Sequence, residues 1–161
     1  MRIKIKSEII RMNHPTIQPQ AGRAPCVSPE ELNRWLDRGH DDQGREVVLL
    51  DTRNAFEVSH GSFQGAVDFG IGKFSDFPQA FRDHASELAG KTIVSFCTGG
   101  IRCEKAAIYM RSLGHPNALQ LEGGILNYFE KTDARYYRGD CFVFDDRELL
   151  DPQLAVSPHA K

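Results

Sequence analysis

The chain has 161 residues, 40% of them hydrophobic, which suits one domain able to bury a core without disulfide staples. A formal net charge of −2 supplies neither a global basic field for nucleic acid nor an acidic tail. No stretch is long or apolar enough to span a membrane and no signal-peptide apolar region opens the chain, so the expected location is the cytoplasm. Cys26, Cys97, Cys103 and Cys141 form no C-x-x-C pair and no Cys/His cluster with zinc spacing, so no metal or other cofactor is expected. In a reducing compartment these cysteines are thiols, and reactivity is the question.

In chain order, residues 1–23 read as an arm and linker. Met1, Ile3 and Ile5 alternate with Arg2, Lys4 and Lys6 as in a half-exposed strand, and Asn13-His14-Pro15 and Gln18-Pro19-Gln20 follow as connector. The basic residues of this arm are too few to prefer RNA binding. Residues 24–147 are read as the domain. Ser28-Pro29-Glu30-Glu31 is a capped helix start, and Leu32, Trp35 and Leu36 give that helix one apolar face, with the tryptophan in the core. A buried strand from Glu46 to Leu50 ends in Asp51-Thr52-Arg53, and Glu57 is placed to pair with Arg53 at i,i+4. His60 to Ala66 turns the chain into a short strand near Val67, and a helix is expected from Asp76 to Leu88. His60 and His84 are read as surface or packing residues rather than general bases.

The stretch Thr92–Phe96 is β-branched or aromatic with little polar relief, as in a strand buried on both faces. Cys97 follows, then Thr98, Gly99, Gly100, Ile101 and Arg102, and then a helix carrying Ala106, Ala107, Met110 and Leu113 on one face until Gly114. A glycine-containing loop at a helix amino terminus turns amides toward an anion, and Arg102 adds a permanent charge. A thiol set there should ionise below its free value of about 8.5. A buried hydrophobe is the bland alternative for one cysteine, but strand, Cys, paired Gly, Arg and helix in succession favour a reactive Cys97. Cys103, on the first helical turn, is either a resolving thiol for Cys97 or a buried structural one. Ala118–Leu121 is a further strand, and Glu122-Gly123-Gly124 turns it into a helix from Ile125 to Lys131. Asp51, Cys97 and Glu122 should then share the carboxyl edge of a parallel sheet, where open α/β sheets bind ligands. Residues 148–161 are read as a flexible tail.

Cys97-x4-Arg102 at a strand-to-helix turn resembles the active-site loop of rhodanese-like sulfurtransferases. The run Cys97 to Ala106, with Leu121 to Ile125 and the Phe142–Arg147 segment, is similar to the rhodanese domain of bacterial tRNA uridine hydroxylases (TrhO-like proteins). The resemblance implies a three-layer α/β/α rhodanese-like fold with a mostly parallel, five-stranded sheet. The Asp51-x-Arg53…Glu57 pattern also resembles one that rhodanese domains carry, and Asp51, Arg53 and, from the shared sheet edge, Glu122 are expected at the site rim. The phosphatases of this fold have one more residue in the loop, so the spacing favours a single sulfur over a phosphoryl group.

The expected activity is therefore sulfur transfer. In this reading Cys97 takes a sulfane sulfur from a small anionic donor such as thiosulfate, becomes a persulfide held by residues 98–102, and passes it to cyanide, a thiol or a protein acceptor. Two alternatives stand beside it: oxygen-dependent hydroxylation of the tRNA wobble uridine, with tRNA as partner, and a non-catalytic binding or redox-sensing module.

Overall fold

The computed structural model describes residues 25–99, 101–143 and 149–155. The expected arm at residues 1–23 lies outside these, as does Gly100 of the loop. Five strands form the central sheet. In spatial order they are β1 (Cys26–Val27), β6 (Ala118–Leu121), β5 (Thr92–Phe96), β2 (Val47–Asp51) and β4 (Val67–Asp68), and all neighbours run parallel. Parallel neighbours need crossovers, and the helices that supply them cover both faces. The fold is the expected α/β one.

Alternation along the strands assigns each residue to a face. Val48 and Leu50 join Ile93 beneath α3 (Phe77–His84) and α4 (Ile101–Ser112), where Phe77, Phe81, Ala106, Tyr109 and Met110 are buried. Leu49, Val94, Phe96 and Leu121 face the other way, against Leu32 and Trp35 of α1 (Pro29–Arg38) and Ile125 and Tyr128 of α5 (Gly124–Lys131). Ser28 caps α1 through Glu31 N (3.1 Å), with Pro29 opening the helix. The expected helix over 76–88 is α3 with a 3-10 turn on either side, Phe74–Asp76 and Ala85–Leu88. Leu113 is 44% exposed, because α4 ends at Ser112 and the apolar face stops with it.

Register fixes the functional edge. Asp51 pairs with Phe96 across β2 and β5, and Ser95 with Gln120 across β5 and β6. Asp51, Cys97 and Glu122 thus stand at the carboxyl ends of adjacent strands, as the order of elements predicts.

Two small antiparallel pairs were not expected. β3 (Gly61–Phe63) pairs with β7 (Tyr137–Gly139), and β8 (Cys141–Phe142) with β9 (Leu149–Leu150). Leu149 and Leu150 are buried, so the expected flexible tail from 148 needs correction: this part of it is paired and packed. The β3–β7 contact is unusually close. A Cβ on Gly61 would lie 2.4 Å from Asp140 O, and one on Gly139 2.6 Å from His60 O. Gly61→Ala must therefore push two backbones apart and should cost about 1–3 kcal/mol, read as a lower urea midpoint at unchanged m-value.

Candidate active site

Cys97 follows the last residue of β5 and is buried, with 2% of its surface exposed. Its carbonyl accepts a hydrogen bond from Ile125 N (2.9 Å), and the Thr98 carbonyl accepts one from Leu126 N (3.2 Å). These donors belong to the first turn of α5, where backbone N–H groups have no partner within the helix. The first two loop carbonyls are thus engaged by α5. Thr98 is half-buried, Gly99 is exposed with open space on its Cβ side, and Ile101 begins α4.

Arg102 is held from below rather than left free over the loop. Its Nη1 donates to Glu57 Oε1 (2.7 Å) and its Nη2 to Glu57 Oε2 (3.0 Å), a two-pronged ion pair with Glu57 fully buried. Burial opposes the guanidinium charge, yet the bond to Glu57 and the attraction of the Cys97 sulfur hold its pKa above the ordinary value. Glu57 Oε1 also accepts from Asn54 N (2.9 Å), which fixes the start of α2 (Ala55–Val58).

The expected Arg53–Glu57 pair is not formed. Helix α2 is a single turn beginning after the cap Asn54, so Arg53 lies outside it and the i,i+4 relation has no scaffold. Arg53 instead grips Asp51, Nε to Oδ1 at 2.9 Å and Nη2 to Oδ2 at 2.8 Å, and also reaches Gly61 O at 2.6 Å. Ser62 Oγ adds a bond to Asp51 Oδ2 (2.7 Å). Asp51 and Arg53 are therefore buried beneath the edge, where they tie β2 to β3. Glu122 lies exposed in the turn after β6.

Two further cysteines reach the loop. Cys103 is fully buried; its thiol hydrogen-bonds with that of Cys97, and its sulfur also accepts from the Cys97 backbone N–H. The bond to Cys97, reinforced by burial, pushes the Cys103 pKa well up. Cys141 comes in from β8. Its sulfur contacts Thr98 Oγ1 at 3.9 Å, and Thr98 Oγ1 donates to Phe142 O at 3.4 Å. Neither Glu57 as the partner of Arg102 nor Cys141 beside Thr98 had a local signal, because both contacts join residues more than forty positions apart.

Burial raises the Cys141 pKa to about 11. A thiol that holds its proton more tightly when folded contributes stability that is intact below its unfolded pKa, about 8.5, and is lost as pH rises through the folded value. Urea unfolding should thus show stability falling by as much as roughly 2–3 kcal/mol from this group between pH 8.5 and 11, and Cys141→Ala should flatten that slope.

The site is a cysteine loop at the carboxyl edge of a parallel α/β sheet, anchored by a buried ion pair. Residues 28–131 match the rhodanese-like domain family, and the chain belongs to it. A solved rhodanese-like domain from the Anabaena protein Alr3790 aligns with a TM-score of 0.55 at 20% identity, over 71% of this chain and 79% of that one. The human single-domain sulfurtransferase TSTD1 aligns at 0.53 and 29% identity, over 68% of this chain and 98% of that one. Much more similar in sequence are curated proteins named tRNA uridine(34) hydroxylase. That of Variovorax paradoxus is 64% identical over 97% of this chain and 59% of its own length, and that of Bordetella petrii 63% over 96% and 62%. The chain spans about six-tenths of the length of these relatives.

These relatives correct the expected activity. The loop alone points to sulfur transfer through a Cys97 persulfide, but the proteins 61–64% identical to this chain are named as hydroxylases. The physical reason is that a cysteine at the start of a helix suits several chemistries, so the loop by itself leaves the reaction open. Among the described residues no helix is long and apolar enough to cross a membrane.

Proposed function

We propose that the protein takes part in hydroxylating the uridine at position 34 of tRNA, with Cys97 as the reacting group. The reading rests on identity of 61–64% to the named hydroxylases across 95–99% of this chain. In this reading Thr98, Gly99 and the start of α4 flank the sulfur, and Glu57 keeps Arg102 in place. The reaction replaces a ring C–H by C–OH. With dioxygen as oxidant, the second oxygen atom leaves as water and two electrons with two protons are required. The neighbouring thiols of Cys97 and Cys103 match that count, since closing one disulfide releases two electrons and two protons. Two equivalents of an external thiol then reduce the disulfide and leave joined as a disulfide of their own.

The test is nucleoside mass spectrometry on tRNA from cells that lack their own hydroxylase and express this chain. Hydroxylated uridine at position 34 that depends on both the chain and aeration is the expected result. Unmodified uridine in aerated cells containing the folded protein would overturn the reading.

A further inference from the structure

An aromatic cluster stands beside the loop. Phe56 and Phe142 meet edge-to-face with centroids 4.7 Å apart, His60 stacks on Phe142 at 5.9 Å and 17°, and Phe56 and His60 are 6.1 Å apart. Its position is fixed from both sides. Phe56 directly precedes Glu57, the anchor of Arg102, and the Phe142 carbonyl accepts the bond from Thr98 Oγ1. Phe56 is 50% exposed, the most open of the large hydrophobic side chains among the described residues, and His60 is exposed with it. A phenylalanine with a packing role would be buried like Phe63 or Phe96, both under 4% exposed. This one offers its ring to solvent at the edge of the reactive loop.

We propose that this cluster is the seat of a pyrimidine base, stacked on Phe56 so that its ring is delivered to Cys97. The assignment rests on the hydroxylase reading above and deepens it, by giving the unpaired uracil of the anticodon loop a binding surface. Unstacked bases in RNA loops are gripped by aromatic faces, and that contact is indifferent to net charge. A chain of charge −2 can therefore hold a base without a broad basic field.

The experiment measures anisotropy of two fluorescent anticodon stem-loop RNAs, one with uridine at position 34 and one abasic there. Wild type, Phe56→Ala and Phe56→Trp are compared, each checked for an unchanged unfolding midpoint. Removing the base should weaken wild-type binding by about tenfold, the scale of one base–aromatic stack. Phe56→Ala should weaken the uridine RNA by a similar factor and leave the abasic RNA unaffected, and Phe56→Trp should restore the difference. Equal weakening of both RNAs by Phe56→Ala, or no effect on either, overturns the stacking assignment while leaving the hydroxylase reading intact. If wild type binds neither RNA, the hydroxylase reading falls first and the base seat falls with it.

Discussion

Replacing Glu57 with alanine should lower the unfolding free energy by about 3–5 kcal/mol, among the largest effects available to a single substitution in this chain. The carboxylate is fully buried and takes both guanidinium nitrogens of Arg102, itself only 8% exposed. Without it a permanent charge stays in the interior with its main partner gone, and Asn54 N loses its acceptor. Against a typical domain stability of about 5–15 kcal/mol, the loss is enough to threaten folding at growth temperature. Urea unfolding reads it directly. Glu57→Gln should lose less, since one amide oxygen still accepts from Arg102. The more telling comparison is the double variant Glu57→Leu with Arg102→Met, which removes both charges and should recover most of the stability. Hydroxylation should stay lost in it, because the loop is no longer tied to α2. A single Glu57→Ala as stable as wild type would show that the pair carries no such weight.

That pair also marks the limit of what sequence shows. The strands whose apolar runs are continuous were legible nearly to the residue: β5 was expected at Thr92–Phe96 and β6 at Ala118–Leu121, as found, and β2 differs by one position. Of the strands of two or three residues only β4, expected near Val67, is legible; β1, β3, β7, β8 and β9 are too short to show a period and exist only through distant partners. Residue contacts followed the same rule. From Glu57 the nearest arginine in sequence is Arg53, and a helix would have joined them; the helix proved one turn long, and the partner lay 45 residues away. The placement of Cys97 between β5 and α4 was legible, since a strand end and a helix start are local features. The reaction was not, because a cysteine at a helix mouth serves several chemistries equally well.

If the proposed function holds, Cys97→Ala should reduce uridine hydroxylation to background without unfolding the protein, since one buried sulfur contributes little packing volume. Cys103→Ala should behave differently. It leaves Cys97 in its loop but removes the thiol that hydrogen-bonds with it, so without added thiol prereduced wild type should complete one turnover and the variant none, while the variant's rate should rise with external thiol concentration. Wild type should show a corresponding covalent signature after mild peroxide treatment. Trypsin cuts after Lys91, Arg102 and Lys105, so a disulfide between the two thiols would join the peptide ending in Arg102 to the tripeptide Cys103-Glu104-Lys105. Mass spectrometry would find that pair in oxidised wild type and lose it in either variant. Should the Cys103 variant turn over like wild type at every thiol concentration, with no such linked peptide, Cys103 would be a packing residue alone. The two electrons would then come from outside the site. The bond to Cys97 and burial make Cys103 hold its proton, and the thiolate is the form that peroxide attacks, so the peroxide should act first at Cys97 and the disulfide form second. Cys97→Ala should accordingly protect Cys103 from oxidation, whereas Cys103→Ala should leave Cys97 to oxidise beyond the sulfenic acid.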